Sequence, residues 1–332
     1  MAYQLYKGTF SSYNGLCDIS WYFFMPKGVT VRAVVQISHG MCEYILRYTE
    51  FAEHLCAQGI AVYGCDHLGH GDSVSNDDPI YGYFGKQEKS LDILVENQKL
   101  MNTIIRKRFP HLPLIMFGHS MGSFVARKYM VQYPDSIDGV ILCGTGGSNK
   151  MTGIGIALLT VLSAVLGKKR RSKWVDKLVF GGYNQRFPNE DDKAWLTKDQ
   201  EIRNAYCRDT KSNFLFPVGS MLCLLHTHKE VNCPEWYAKV PKGLPILLVA
   251  GEDDPVGNYG EGVREVYNGL EDAEICMLDM KLYEDDRHEI LNEIDKDVVY
   301  SDLVAYIGKV AEGVYAARTQ NGYEGMFGVK SE

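Results

Sequence analysis

The pentapeptide Gly118-His119-Ser120-Met121-Gly122 constrains the fold of this chain more than any other feature. It follows a short apolar run at 114–117, which predicts a buried strand, and precedes a segment at 123–131 that predicts a helix. Strand, Gly-x-Ser-x-Gly and helix together are typical of a nucleophile elbow, a strained turn that exposes the serine hydroxyl above a sheet. Side chains at the flanking glycines would collide with the adjoining strand and helix. This context disfavours the alternative, a glycine-rich turn whose serine only caps the helix.

Strand and helix patterns alternate on both sides of this motif. Continuous apolar runs predict buried strands at 32–38, 60–66, 114–117, 139–143, 246–250 and 273–278. Amphipathic segments predict helices at 45–58, 88–108, 123–131 and 296–312. Alternating, aromatic-rich runs over about 3–25 predict antiparallel edge strands. The chain is therefore expected to form an α/β fold with a mostly parallel central sheet flanked by helices.

The strand–helix alternation breaks after Gly147. Residues 149–239 show helical or irregular patterns without a convincing buried strand. We therefore expect a core at 1–147 and 241–313, a helical cap insertion at 148–240, and a polar, loosely ordered C-terminal tail at 314–332. Open parallel sheets bind ligands at the edge where their strands end, and the insertion would cover that edge.

Chain order selects the catalytic partners expected for Ser120. A serine hydroxyl needs a neighbouring base, the base needs an orienting acid, and behind an elbow the acid precedes the histidine. Of nine histidines, only His288 follows the last two predicted strands. The strand at 246–250 is followed by three consecutive carboxylates, Glu252, Asp253 and Asp254. We select Asp254, because Pro255 holds the residue before it extended at the loop tip; the alternative for each is a solvated turn residue.

Two backbone N–H groups are expected to face the oxyanion of a tetrahedral intermediate. One belongs to Met121, the residue after the predicted nucleophile. The other is expected in the loop after the first long buried strand, where Gly40 lets the backbone turn and the N–H of Met41 is the natural donor. The alternative is a glycine loop with no special function.

Two further segments admit two interpretations each. The run Asp66-His67-Leu68-Gly69-His70-Gly71-Asp72-Ser73 could be a metal site, but no fourth donor or open position is evident, so a tight hydrogen-bonded loop is preferred. An apolar segment at 154–166 precedes a basic run at 168–171. It could contact an anionic lipid surface transiently, or it could be a cap helix with a solvated charged end, which is preferred.

Charge and cysteine content narrow the class of protein. A net charge of −7 gives no reason to expect a nucleic-acid partner. No uncharged apolar run has the length of an integral membrane span. Nine scattered cysteines without a C-x-x-C pair, and an N-terminus without an apolar segment, predict a reduced, cytoplasmic protein.

Together these motifs resemble the α/β-hydrolase superfamily, and within it the monoacylglycerol-lipase and lysophospholipase-like branch, also called serine aminopeptidase-like. The resemblance rests on His39-Gly40-Met41-Cys42-Glu43, Arg47-Tyr48, Phe51-Ala52, 66–71, the elbow, 251–257 and 287–293. It implies an α/β-hydrolase fold and hydrolysis of carboxylic esters with an acyl chain, without a cofactor or metal. One departure is Tyr44, where relatives commonly carry histidine; it bears on the contacts of the oxyanion loop, not on the triad.

The sequence thus predicts a serine hydrolase that cleaves a small lipid-like ester, such as a monoacylglycerol or a lysophospholipid, through an acyl-enzyme. Two alternatives stay open. An aminopeptidase or other amidase would use the same three side chains, and the sequence does not separate amide from ester. A non-catalytic binding protein with the hydrolase fold would hold His288 or Asp254 out of reach of Ser120.

Overall fold

The computed structural model describes residues 1–75, 79–86 and 88–320. Within these residues eight strands form one sheet in the order β1-β2-β4-β3-β5-β6-β7-β8. The strands are β1 Tyr3–Ser11, β2 Asp18–Pro26, β3 Ala33–Ser38, β4 Ile60–Cys65, β5 Leu114–His119, β6 Gly139–Cys143, β7 Ile246–Gly251 and β8 Leu278–Tyr283. β2 pairs antiparallel with β1 and β4, and the other neighbours pair parallel. The predicted α/β-hydrolase architecture is confirmed.

Helices cover both faces of the sheet. They are α1 Thr49–Ala57, α2 Asp92–Arg108, α3 Met121–Gln132, α4 Thr152–Leu166, α5 Lys173–Phe180, α6 Gln200–Arg208, α7 Val218–Val231, α8 Pro234–Tyr237, α9 Glu261–Asp272 and α10 Lys296–Gln320. Side chains of α1 and α10 pack on one face, and those of α2, α3 and α9 on the other. In the described part of the chain, no helix combines the length and apolar character that a membrane crossing requires.

Each central strand is buried on both faces, so its successive side chains enter different cores. In β3, Val35 and Ile37 pack with α1 and α10, whereas Val34 packs with α2 and α3. This double burial explains why the sequence shows continuous apolar runs instead of alternation. It also makes the end of β5, where Ser120 follows, a rigid point in the molecule.

Helices α4 to α8 lie in the chain between β6 and β7, where the helical insertion was predicted. The insertion is tied to the core through α3. Lys128 of α3 is buried and pairs with Glu230 of α7 at 2.7 Å. Arg127 donates to the carbonyl of Val231 at the end of α7 and to the Asn232 side chain. The domain boundaries themselves, 148–240 for the cap, stay a prediction.

Two predicted boundaries are wrong. The last strand was expected at 273–278, but β8 spans Leu278–Tyr283. β8 is an edge strand with alternating burial, so its sequence lacks the continuous apolar run that is typical of a strand buried on both faces. The tail was expected from 314, but α10 continues through Gly313 to Gln320. Its last turns are held by hydrogen bonds from Tyr315 and Arg318 to the core; residues 321–332 lie outside the described part.

Candidate active site

Ser120 lies at the junction of β5 and α3, in the turn that the sequence predicts. Its φ of 52° places a side chain in backbone space that usually requires glycine. A Cβ at Gly118 would lie 2.5 Å from the carbonyl oxygen of Gly122, and one at Gly122 would collide with the carbonyl of Ser38. Both glycines are therefore required by close approach of backbone to backbone, which is the physical origin of the pentapeptide.

His288 and Asp254 meet at the end of the sheet. His288 Nδ1 lies 2.9 Å from Asp254 Oδ2, and the two side chains are 3% and 0% exposed. The other oxygen of Asp254 accepts the N–H of Val256 at 2.8 Å, which fixes the carboxylate. A hydrogen bond from Nδ1–H to Asp254 leaves Nε2 of His288 as the acceptor. The carboxylates beside Asp254 point elsewhere: Asp253 pairs with Arg186, and Glu252 with Arg264.

Ser120 and His288 line the same cavity, whose volume is about 820 Å³. Met41 and Met121, the expected oxyanion donors, also line it. Among the described residues no hydrogen bond joins the Ser120 hydroxyl to the His288 ring. Such bonds are often long in free enzymes and tighten with substrate. The structure thus brings four of the predicted residues to one cavity and places the fifth, Asp254, behind His288; their catalytic roles stay predictions.

His39 orients the peptide that carries the Met41 N–H. Its Nδ1 lies 2.8 Å from the Gly40 carbonyl, and its Nε2 accepts the N–H of His67 at 2.8 Å. Burial lowers the pKa of His39 to about 4, so the ring is neutral and Nδ1 carries the proton. A carbonyl and the N–H that follows it point in opposite directions across a trans peptide. The His39–Gly40 bond therefore fixes the direction of the Met41 N–H, a role that the sequence reasoning missed.

Glu43 is a buried acceptor for groups from three parts of the site. It accepts the N–H of Gly40 and, at 2.8 Å, the hydroxyl of Tyr48. It also contacts His119 Nδ1 and Arg47, both at 3.1 Å. Burial alone would raise the pKa of Glu43, but His119 and Arg47 lower it below its usual range. Burial would lower the pKa of His119, but the bond to Glu43 raises it above its usual value, so the contact favours the charged form of each partner.

The same network reaches the base. His119 Nε2 lies 3.2 Å from the carbonyl of His288, and Arg47 makes a two-bond ion pair with Glu289 at 2.9 and 2.7 Å. The oxyanion loop, the elbow and the base segment are thus held by one set of buried charges. The spacing of Glu43 and Arg47, four residues apart, is the one sequence signal that could have indicated this network.

The segment 66–73 forms a tight loop, as preferred from the sequence. Asp66 accepts the N–H groups of Ile45 at 2.9 Å and Asp72 at 2.8 Å, and burial raises its pKa to about 7. The Ser73 N–H donates to the carbonyl of His70 at 2.8 Å. Among the described side chains, no group of three or more His, Cys, Asp and Glu residues is placed to hold a metal ion.

Two chemically different sets of side chains, which we call the apolar wall and the polar wall, line the cavity. The apolar wall is formed by Met41, Met121, Phe124, Phe180, Phe214 and Leu224. The polar wall is formed by Asp176, Lys177, Asn184, Asp191, Asp192 and Lys193. All the polar-wall residues belong to the insertion between β6 and β7. A molecule with an apolar chain and a polar head would match both walls.

Comparisons with known proteins agree with this architecture. The family described as serine aminopeptidase, S33 matches residues 29–295. A monoacylglycerol lipase from Mycolicibacterium smegmatis is 28% identical over 282 residues, which cover 83% of this chain and 88% of that protein. A monoglyceride lipase homolog from monkeypox virus is 32% identical over 268 residues, covering 80% of this chain and 84% of that protein.

A solved structure gives the same result for the fold. A thermostable carboxyl esterase from Bacillus coagulans, in complex with glycerol, superposes with a TM-score of 0.86 at 29% identity. The match covers 94% of this chain and 99% of the esterase. The chain therefore belongs to the serine aminopeptidase S33 family of α/β-hydrolases, in its monoacylglycerol lipase-like branch, and is a carboxylic ester hydrolase.

Proposed function

We propose that this protein hydrolyses the ester bond of a monoacylglycerol-like lipid through an acyl-enzyme. Ser120 Oγ attacks the ester carbonyl while His288 Nε2 takes its proton, and the carbonyl electron pair moves onto oxygen. The N–H groups of Met41 and Met121 stabilise that oxyanion. When the oxyanion collapses, the C–O bond to the alcohol breaks and His288 returns the proton to it. Water, activated by His288, then releases the fatty acid.

One observation carries this proposal. His288 is hydrogen-bonded to the buried Asp254 carboxylate at 2.9 Å, and it lines the same cavity as Ser120. A buried carboxylate beside an imidazole holds one tautomer and stabilises the imidazolium that forms when the serine loses its proton. A binding protein would have no use for this arrangement at the end of a strained serine turn. The geometry therefore favours catalysis over the non-catalytic alternative.

The polar wall of the cavity favours an uncharged head group. It contains three carboxylates, Asp176, Asp191 and Asp192, and two ammonium groups, Lys177 and Lys193. Hydroxyl groups of a glycerol head can donate to carboxylates and to the Asn184 carbonyl oxygen. The two ammonium groups are balanced by carboxylates of the same wall, and Asp191 already pairs with Arg203 at 2.8 Å, so the wall offers a phosphate ester no net attraction. We therefore place monoacylglycerols ahead of lysophospholipids as substrates.

The outer surface of the cap supports transient contact with lipid. On α4, Ile154, Val161 and Val165 are 61%, 61% and 75% exposed, and on α5 Trp174 is 59% exposed. Arg170, between these helices, and Lys173, the first residue of α5, are also exposed. An exposed apolar face bordered by basic side chains matches an anionic lipid surface. A substrate that resides in membranes would be delivered at this face.

Labelling with a fluorophosphonate probe tests the triad. We expect the wild-type protein to be labelled at Ser120 and the Ser120→Ala variant to remain unlabelled. Treatment of the wild-type protein with the probe should abolish ester hydrolysis. Equal labelling of wild type and Ser120→Ala would refute the proposal, as would an absence of labelling in wild type. Unchanged turnover in fully labelled protein would also refute it.

Substrate class is tested by kcat/KM on matched pairs. A monoacylglycerol and a lysophosphatidylcholine with the same acyl chain isolate the head group, and we expect the monoacylglycerol to be preferred. Nitrophenyl esters and aminoacyl-nitroanilides compared side by side separate ester from amide hydrolysis. Faster cleavage of the anilides than of the esters would contradict the proposed ester hydrolysis and support an amidase.

A further inference from the structure

The segment that carries His288 is held by a stretch of the insertion. Residues 190–198, which we call the brace, run between α5 and α6 without regular secondary structure. The N–H of His288 donates to the carbonyl of Trp195 at 3.3 Å, and the N–H of Glu289 to that of Leu196 at 2.7 Å. The backbone of the proposed base thus pairs with the insertion between β6 and β7.

Charged side chains join both ends of the brace to the two residues that precede His288. The Arg287 guanidinium makes a two-bond ion pair with Glu190 at 2.7 and 3.0 Å. The Lys198 ammonium pairs with the buried Asp286 carboxylate at 2.7 Å. These pairs hold the segment before the base from both ends of the brace, so His288 has little freedom to shift.

Trp195 also contacts the imidazole itself. Its ring centroid lies 5.2 Å from that of His288, with the planes at 38°. A cation within about 6 Å of an aromatic centroid is attracted by the ring. Two titratable side chains also face His288. Asp254, from the loop after β7, is hydrogen-bonded to it, and the ring of His119, from β5, has its centroid 4.8 Å from that of His288. Trp195 lines the cavity as well, so a bound substrate would touch the same side chain.

We propose that Trp195 is a positioning residue for the hydrolytic reaction: its carbonyl and its indole hold His288 toward Ser120, and the indole stabilises the imidazolium formed during proton transfer. The inference rests on the proposed function, because it takes His288 as the base. It makes turnover depend on the brace, and not only on the three residues at the end of the sheet. A substitution that removes the aromatic face but keeps apolar bulk in the cavity wall should slow chemistry and leave substrate binding nearly unchanged.

Trp195→Phe and Trp195→Leu separate these effects. Phenylalanine keeps an aromatic face, whereas leucine keeps apolar bulk without one. We expect the leucine variant to lose about tenfold in kcat for a short-chain ester and in the rate of fluorophosphonate labelling. Its KM is expected to stay within about twofold, and the phenylalanine variant to recover most of the rate. Thermal unfolding of both variants checks that they fold.

Phe214→Leu is the matched comparison. Phe214 also lines the cavity, but its ring packs against His70 and Tyr81. This variant is expected to raise KM and keep the labelling rate.

Glu190→Gln tests the brace independently, because it weakens the ion pair with Arg287 without changing the cavity wall. It should lower kcat severalfold at unchanged KM.

The proposal is overturned if Trp195→Leu raises KM at constant kcat, since Trp195 would then be only a wall. It is equally overturned if phenylalanine fails to recover the rate, or if Glu190→Gln folds and leaves kcat unchanged. Labelling of wild type with none in Ser120→Ala reports on the proposed function separately. A failure of Trp195 variants to respond while that labelling holds would reject this inference alone.

Discussion

Replacement of Gly122 by alanine tests the packing that produces the elbow. Gly122 is the second residue of α3, and a Cβ there would collide with the carbonyl oxygen of Ser38 and lie 2.6 Å from that of His39. Both neighbours are backbone atoms at the end of β3, which cannot rotate away. The clash can be relieved only by moving α3 from the sheet or by moving the loop that carries Met41.

The expected loss of stability follows from two opposing effects. Alanine in place of glycine within a helix stabilises by roughly 0.5–1 kcal/mol. Insertion of a methyl group into a filled site costs about 1–3 kcal/mol, and a collision with backbone lies at the upper end of that range. Gly122→Ala should therefore lower the free energy of unfolding by about 2 kcal/mol. Displacement of the Met41 loop should also lower kcat at least about tenfold.

Gly153→Ala is the matched control. Gly153 lies in the first turn of α4, and a Cβ there would meet no atom within 4 Å. The same substitution should stabilise this site by about 0.5–1 kcal/mol and leave kcat unchanged. Urea unfolding curves and ester hydrolysis rates of the two variants measure both effects. Equal shifts in the two unfolding free energies, or a fully active Gly122→Ala, would refute the close approach of α3 to β3.

Three other outcomes are expected. Asp254→Asn keeps the shape of the side chain but loses its charge, so kcat should fall roughly 10³–10⁴-fold while the free energy of unfolding stays unchanged. Activity near that of wild type would reject Asp254 as the acid. Burial lowers the pKa of His70 from 6.5 to about 3. Between these two pH values the unfolded chain binds a proton at His70 that the folded chain does not. The free energy of unfolding therefore rises with pH over this range. His70→Phe should therefore reduce the loss of unfolding free energy between pH 7 and 5 by about 2 kcal/mol, measured from urea unfolding curves at the two pH values. Val165→Glu should weaken cosedimentation with anionic vesicles at unchanged turnover of a soluble ester, and equal binding would argue against lipid contact through α4.

The central strands could be predicted because both of their faces are buried. β3, β4, β5, β6 and β7 each show burial at every position, and the apolar run in the sequence follows directly. β8 was misplaced because an edge strand alternates, and its Asp279 and Lys281 broke the run. The end of α10 was misplaced for another reason: the segment after 313 is polar, but hydrogen bonds from Tyr315 and Arg318 to the core hold it as helix.

The five site residues could be predicted because they stand at fixed places relative to strands and glycines, and their catalytic roles stay predictions. The supporting residues could not, because their roles depend on contacts between distant segments. Nothing in the sequence around Glu43 shows that it meets His119, 76 positions away, and nothing around Trp195 shows that it meets His288. Such pairs are created by the topology of the sheet and by the return of the insertion onto it.

The hydrogen bonds between the brace and the base segment limit how this hydrolase can be re-engineered. The insertion between β6 and β7 is contiguous in sequence and lines the cavity, so it is an attractive segment to exchange. Here a transplanted cap that ends before residue 190 would keep the native support, whereas one that replaces 190–198 would remove the carbonyls that receive the His288 and Glu289 N–H groups. Chimeras of the second kind should fold and yet turn over slowly until the donor's partner loop is grafted with them.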